Sequence, residues 1–563
     1  MKRTALFLTL ALHKPSGFSC KMKALILVTF LFFSLLPKAQ TALPIQWIEQ
    51  FGEVDEEYAF GIAVDDSSNT FVTGLIGQGD SSFNQKAQCV NHEIFVARYN
   101  SQGNAQWLTK VGALGTDIGW GIAIDKNHDI YTVSSFQDEL YLNNDTLTCN
   151  GFIDILIMKY NAQGGLLWAK SAGGTLGDEG YGIATDSEDN VYITGSFIGT
   201  AQFDTLLITS KGLGDVFLAK YDRSGNLLWA INAGGSASSE DAGHSIAIDT
   251  ADHVYVAGKF GGTAVFSTDT LVSRGSSDIF IARYDTSGVQ QWIRQAGGAG
   301  MDLGQSIRTD SKGSLLVTGY FSQSAIFTSD TLISKGNSDI FISKYDPQGA
   351  ALWTKAAGGS GQDEGASITS ASDKKIYVAG YFADTATFGT YVLNSLGFYD
   401  AFLLCLDSSG NFEWIKPGGG PGMDAASAVC ADSANAVYIA GIFDYTCAFD
   451  SLSVNSTYDQ NFFLARFSAE NTFTIHENPD GKGNLLIFPN PSDGQVTLLP
   501  AENMLAPVLP IKITNIMGEL VFEQELSGTQ DNYKVDLNVL KKGIYFLRTN
   551  VGGNMLCKKI IIR

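Results

Sequence analysis

The sequence predicts an all-β chain: a seven-bladed β-propeller whose N-terminal strand closes the last blade, followed by a small Ig-like β-sandwich. Three observations predict it. Trp47, Trp107, Trp168, Trp229, Trp292, Trp353 and Trp414 recur at intervals of 60, 61, 61, 63, 61 and 61 residues, and a period this long marks stacked supersecondary units. Each unit holds four short alternating apolar runs between turn clusters, the make-up of a propeller blade. The two ends of the repeat region are complementary. It opens with a lone tryptophan strand, PIQWIEQFG (44–52), and closes with NFFLARF (461–467), after which no tryptophan strand follows. A linear array would need polar caps at both ends. A ring lets the first strand complete the last blade beside Phe463–Phe467, removing both open edges.

The chain begins with a leader over 1–40. Residues 22–40 have a basic start, an apolar run from Ala24 to Leu36 and a small residue at Ala39, the layout of a cleaved secretory signal. The earlier residues read as an upstream extension, with translation starting at Met22. Gly17-Phe18-Ser19 is a poor setting for lipid attachment at Cys20. The mature protein is expected outside the cytoplasm, with no transmembrane segment.

The propeller occupies 41–475. In the third unit the runs are GYGIATD (180–186), NVYITGSF (190–197), DVFLAKYD (215–222) and NLLWAIN (226–232). DSEDN (186–190) and DRSGN (222–226) close hairpins through side-chain-to-backbone bonds, and GTAQFDTLLITSKG forms a small outer hairpin. The first strand carries Gly, Ala and Ser around Ile62, Ile122, Ile183, Ile246, Ile307, Ile368 or Val429, which counts seven blades. Small residues suit the crowded axis, whereas Tyr, Phe and Trp fill the wedge between splayed blades. Gly74, Gly195, Gly258, Gly319, Gly380 and Gly441 share one place in the second strand, with Ser134 as counterpart, and mark a bulge or close backbone approach.

The consensus IAIDxxxNVYVTGSF, followed by TAxFxxxTLxSxGxxDIFIAKYDxxGNLLW, resembles the SBBP-type β-propeller repeat of secreted bacterial proteins. That resemblance implies a propeller and leaves activity open. A polar linker (476–484) leads to 485–563, which reads as about seven short strands of a β-sandwich. Here FPNP (Phe488, Pro489, Asn490, Pro491), NIMGELV with Gly518, VDLNVLKKGIYFLR with Gly543 and Tyr545, and the terminal KKIIIR with Lys558 and Lys559 resemble the type A C-terminal sorting domain of the type IX secretion system. The resemblance implies engagement of that machinery, then surface attachment or release.

A formal net charge of −21 argues against nucleic acid, which requires a basic stripe. The seven cysteines have no metal-type spacing; Cys89 and Cys149 could bridge neighbouring units, but free, buried thiols are the default reading. No nucleophile-elbow, zinc-protease or phosphate-loop motif occurs, and the six histidines share no ligand spacing. Five residues before each inner-strand Ile or Val stands an acid: Glu57, Asp117, Asp178, Asp241, Asp302, Asp363 and Asp424. Such a ring could hold Ca²⁺ at the channel or draw in a basic ligand. Equally, each acid could bond backbone N–H groups in its own inter-blade loop, and a residue present in every unit more often serves the unit. Asp65, Asp125, Asp186, Asp249, Asp310 and Asp432 open the first hairpin turn. The basic residues Arg98, Lys159, Lys220, Arg283, Lys344 and Arg466 lie on the third strand and are expected to snorkel along the blade or pair with nearby acids. Trp120 and Glu139 depart most from the consensus and read as loop variation. The expectation is a non-catalytic binding or adhesion module with no required cofactor, its ligand an extracellular glycan or protein. The alternatives are a hydrolase or lyase with its site at the channel mouth, or a structural coat component.

Overall fold

The computed structural model describes residues 42–469 apart from 52–55, 78–91, 113, 143–144, 236–239, 329 and 457–459. It also describes 486–562 apart from 489–491, 493, 500–507, 516–519, 528–532 and 552–553. The expected leader, the start at Met22 and the linker over 476–484 lie outside the described residues. Among the described residues every regular element is a strand, as the wealth of β-branched and aromatic residues favours.

The third unit shows how the pattern becomes a blade. Its strands Asp178–Thr185, Val191–Phe197, Asp215–Tyr221 and Leu227–Gly235 pair antiparallel in chain order. Asp186 accepts the N–H groups of Glu188 and Asn190 at 3.0 and 2.9 Å, which closes the first hairpin. Asp222 does the same for Ser224 and Asn226 in the last. Seven sheets contain such a set of four antiparallel strands. Their first strands, Tyr58–Val64, Ile118–Ile124, Asp178–Thr185, Ala242–Ile248, Leu303–Thr309, Glu364–Ser370 and Ala425–Ala431, each meet the next, and the last meets the first.

Closure is made by the N-terminal strand. Ile45–Phe51 pairs antiparallel with Asn461–Phe467, Trp47 standing opposite Arg466 and Phe51 opposite Phe462. One backbone bond repeats at every junction. The N–H of Asp117, Asp178, Asp241, Asp302, Asp363 and Asp424 donates to the carbonyl of His92, Ile153, Gly214, Ser277, Ser338 and Tyr399 of the preceding blade, and Glu57 donates to Gln460 at 3.0 Å. The contact that seals the ring is thus the same as the contact that builds it.

The outer hairpin sits differently from its simplest expectation. Thr200–Phe203 and Leu206–Thr209 belong in sequence to the third unit, yet Ala201–Phe203 pairs with Ala172–Gly174 of the second blade. The hairpins of later units are handed back in the same way. Five sheets therefore have six strands, two of them supplied by the following unit.

Near the axis the small residues have a use. The Ser245, Ser306 and Ser367 hydroxyls accept the N–H groups of Ile307, Ile368 and Val429 in the next inner strand at 3.1, 3.3 and 3.2 Å. A Cβ on Gly195 would stand 1.9 Å from the Glu179 carbonyl oxygen, so the repeated glycine marks a close backbone approach. Outward, each blade buries a slab of Ile, Val, Phe and Tyr; that between the second and third blades includes Ile155, Ile157, Ile193, Phe197, Phe203 and Phe217.

The C-terminal region has seven described strands in two sheets of three and four. They share one core containing Val496, Leu498, Ile511, Ile513, Val535, Leu547 and Ile560. Tyr545 is buried in it, its hydroxyl donating to the Lys541 carbonyl at 2.7 Å. Gly543 and Lys558 are half-buried and Lys559 is exposed, facing Phe546 in the register of the last two strands. Phe488 ends the first of the seven strands, while Pro489, Asn490, Pro491 and Gly518 lie outside the described residues.

Candidate ligand site in the central channel

The acids anticipated as a ring are fully buried: Glu57, Asp117, Asp178, Asp241, Asp302, Asp363 and Asp424 each have 0% exposure. Asp302 accepts the N–H groups of Gly298 and Ser322 at 2.7 and 3.2 Å. Asp363 accepts those of Gly359 and Ala383, and Asp241 those of Gly235 and Gly261. Asp178 does the same with Gly174 and Ile198, Asp117 accepts from Gln137, and Asp424 accepts from Gly420. These carboxyls thus bond the end of the preceding blade's fourth strand or the end of their own second strand. Behind Asp178, Asp241, Asp302, Asp363 and Asp424 lies a second buried acid, Asp154, Asp215, Asp278, Asp339 or Asp400 respectively, from the preceding third strand. Burial, with repulsion from that neighbour, pushes the carboxyls up, to about 6 in Asp178, about 7 in Asp241, Asp302 and Asp363, and about 8 in Asp424. Among the described residues, no group of three or more His, Cys, Asp or Glu side chains is placed to hold a metal ion.

The lysines of the third strand pair with acids of their own blade's first hairpin, whereas Arg98 and Arg283 donate across the joint to the Ala162 and Pro347 carbonyls. Lys159 pairs with Asp129 at 2.9 Å and lies 4.8 Å from the centre of the Tyr131 ring. Lys220 and Lys344 pair with the turn acids Asp186 and Asp310 at 3.2 and 2.8 Å. In the sixth blade Cys405 takes this place, and Lys375 pairs with Glu413 instead.

One set of unrepeated side chains faces the channel. Every inner strand carries a β-bulge at the same step, between Ala59 and Gly61, Gly119 and Gly121, Gly180 and Gly182, Gly243 and Ser245, Gly304 and Ser306, Gly365 and Ser367, and Ala426 and Ala428. A bulge leaves one residue without a cross-strand partner and re-aims its side chain. The seven bulged residues are Phe60, Trp120, Tyr181, His244, Gln305, Ala366 and Ser427, no two alike. All are half-buried, and all line one cavity of about 550 Å³ on the ring's axis.

Consecutive blades form an aromatic arc. Phe60 and Trp120 lie 4.8 Å apart between ring centres, Trp120 and Tyr181 5.5 Å in an edge-to-face contact, and Tyr181 and His244 5.1 Å in parallel planes. The Trp120 indole N–H donates to Ser135 Oγ at 3.0 Å, which fixes the ring. Desolvation pushes His244 down to about 4, so it is neutral at physiological pH. Its Nε2 is buried without a hydrogen-bond partner among the described residues.

Charged and polar side chains also line the cavity. Glu240 accepts from Lys259 at 2.9 Å and Ser196 at 2.8 Å, which together hold its carboxyl below the ordinary value against burial. Glu364 accepts from the Tyr381 hydroxyl at 2.8 Å, and burial raises its carboxyl. Arg308 stands one residue past Ile307, where four other blades have Ala63, Ala123, Ala184 and Ala247. It donates to the Ile307 carbonyl at 2.9 Å, and no carboxylate among the described residues pairs with it. Of these cavity residues, the sequence singled out only Trp120, and attributed it to loop variation. The structure corrects that placement, since Trp120 lies within the inner strand Ile118–Ile124. The available signal was the position two before the repeated Ile or Val, at which the residue type differs in all seven units.

Comparison with known proteins agrees with this architecture. Residues 486–563 match the model of the secretion system C-terminal sorting domain, and residues 167–196 match that of the beta-propeller repeat. The sorting domain directs the chain to the cell surface or extracellular space through the type IX machinery. An uncharacterized WD repeat-containing protein of Acanthamoeba polyphaga mimivirus is 23% identical over 509 residues, covering 72% of this chain and 36% of that protein. The regulatory protein FlaEY of Caulobacter vibrioides is 28% identical over 233 residues, covering 38% of this chain and 24% of that one. The chain thus spans about a third and a quarter of these curated relatives. Among solved structures, YCF48 bound to D1 peptide aligns with 76% of this chain and 98% of that one, at 9% identity and a TM-score of 0.34. The extracellular domain of a putative one component system from B. thetaiotaomicron covers 92% of this chain and 100% of its own, at 9% identity and a TM-score of 0.24. Among the described residues no helix is long and apolar enough to cross a membrane.

Proposed function

We propose that the protein is a non-catalytic extracellular or surface-displayed binding module, with an adhesive role, whose ligand occupies the central channel. One observation carries the reading. Seven equivalent positions, each re-aimed by a bulge, bear seven different side chains, whereas the joints repeat from blade to blade. Packing demands are similar in every blade, so a wall that differs in every blade suits an asymmetric ligand. The buried acids suit a structural role that needs no cofactor. The test is a glycan and host-protein panel probed with the full chain and with a Trp120→Ala/Tyr181→Ala variant. At least one ligand should be retained by the former and lost by the latter. If every ligand binds both proteins alike, the site lies elsewhere.

A second reading, hydrolase or lyase, draws on one observation. Glu240 and Glu364 both line the cavity, and their surroundings move their carboxyls in opposite directions, the polarity an acid–base pair requires. Release of new reducing ends from a polysaccharide, abolished by Glu364→Gln, would favour it over simple binding.

A further inference from the structure

A sugar ring has an apolar C–H face and an edge of hydroxyls, and the cavity has walls suited to both. The arc of Phe60, Trp120 and Tyr181 supplies flat surfaces of graded tilt. Buried aromatic faces of this kind bring large apolar contact area with little side-chain entropy to lose. Beside the arc, the Gln305 amide and the Ser427 hydroxyl can serve the hydroxyl edge. The volume of about 550 Å³ falls within the range of small-ligand sites.

The charges decide what kind of sugar. Two cations and two carboxylates line the cavity. Lys259 and Glu240 satisfy each other, and Glu364 is engaged by Tyr381. Arg308 is left over, its carbonyl bond being to its own strand. A desolvated cation without a counter-charge is unfavourable until an anion arrives, and the guanidinium fork matches a planar carboxylate in a bidentate pair.

We propose that the channel binds a uronic-acid sugar, its ring face against the Phe60–Trp120–Tyr181 arc and its carboxylate on Arg308. This rests on the binding reading above, and sharpens it. The test is calorimetric titration of the full chain with trigalacturonate and with its neutral counterpart, galactotriose. Trigalacturonate should bind tighter by about tenfold or more, the usual worth of a charge-assisted pair. In Arg308→Gln that preference should vanish, and in Trp120→Ala both affinities should fall. Should Arg308→Gln fail to fold, Arg308→Lys keeps the charge without the fork and should retain only part of the preference. Equal affinity for the two sugars in the native chain, or a preference that survives in Arg308→Gln, would overturn the uronate assignment and leave the binding reading standing. Tighter binding of a peptide through its terminal carboxylate, or no binding of either sugar by the folded chain, would overturn the sugar class altogether. The wider panel then decides the binding reading separately.

Discussion

Each repeated tryptophan, Trp47, Trp107, Trp168, Trp229, Trp292 and Trp353, donates its indole N–H to a carbonyl of the next blade. Trp168 packs edge-on against Tyr131 of its own blade, while its indole N–H donates to the Arg223 carbonyl in the next blade at 3.2 Å. Over its ring sits Gly225, at φ 82° in the turn of that next blade, where a Cβ would come within 3.0 Å of the indole. Lys159 reaches towards the same carbonyl at 3.5 Å. Gly225→Ala therefore strains both the turn and the joint, and should cost about 1–2 kcal/mol, read as a lowered urea midpoint. Trp168→Phe keeps much of the packing and loses the hydrogen bond, about 1 kcal/mol. These residues were legible because repetition advertises them. Arg308 and Trp120 were harder to read, since a lone departure from a repeat looks the same in a surface loop and in a channel until the bulge shows where the side chain is aimed.

The outer hairpins show the limit of reading elements locally. Alternation and turn residues identify a hairpin at 200–209, but its attachment depends on a register of only three residues, Ala172–Gly174 against Ala201–Phe203. Nothing local in either segment encodes that choice. The structure predicts that replacing 200–209 with a short Gly-Ser turn will speed amide hydrogen exchange at Ala172–Gly174, in the second blade, more than in the fourth strand of the third blade. The closing strand was easier to anticipate, because a missing strand at one end and a surplus one at the other are countable. Removing residues 42–51 should expose the edge Asn461–Phe467, lower the melting temperature and produce self-association by size-exclusion chromatography.

Over the whole molecule, the inner aspartates impose a pH dependence. Their carboxyls are raised from 3.8 to between about 6 and about 8, so the folded chain keeps protons that the unfolded chain releases. Their contribution is full below about pH 4 and is lost as pH rises towards about 8. The turn acids Asp186, Asp249 and Asp310 are shifted down by hydrogen bonds against the effect of burial, and their contribution is lost as pH falls below about 4. The melting temperature should therefore peak at about pH 4–5 and decline towards pH 8, unchanged by EDTA. A temperature that rises with pH and drops with EDTA would instead indicate a cation between the paired acids. Deleting 485–563 should leave the propeller in the periplasm, and normal surface delivery of that truncated chain would contradict the sorting role.

The division of labour, with repeated residues building the ring and unrepeated ones meeting the ligand, is tested most directly by intrinsic fluorescence. Trp120 is the one tryptophan lining the cavity, and the other seven belong to the fourth strands. Titrating the full chain with trigalacturonate should give a saturable change in tryptophan emission that disappears in Trp120→Phe, although calorimetry still detects binding. An emission change that persists undiminished in Trp120→Phe would place the ligand outside the channel and contradict the account.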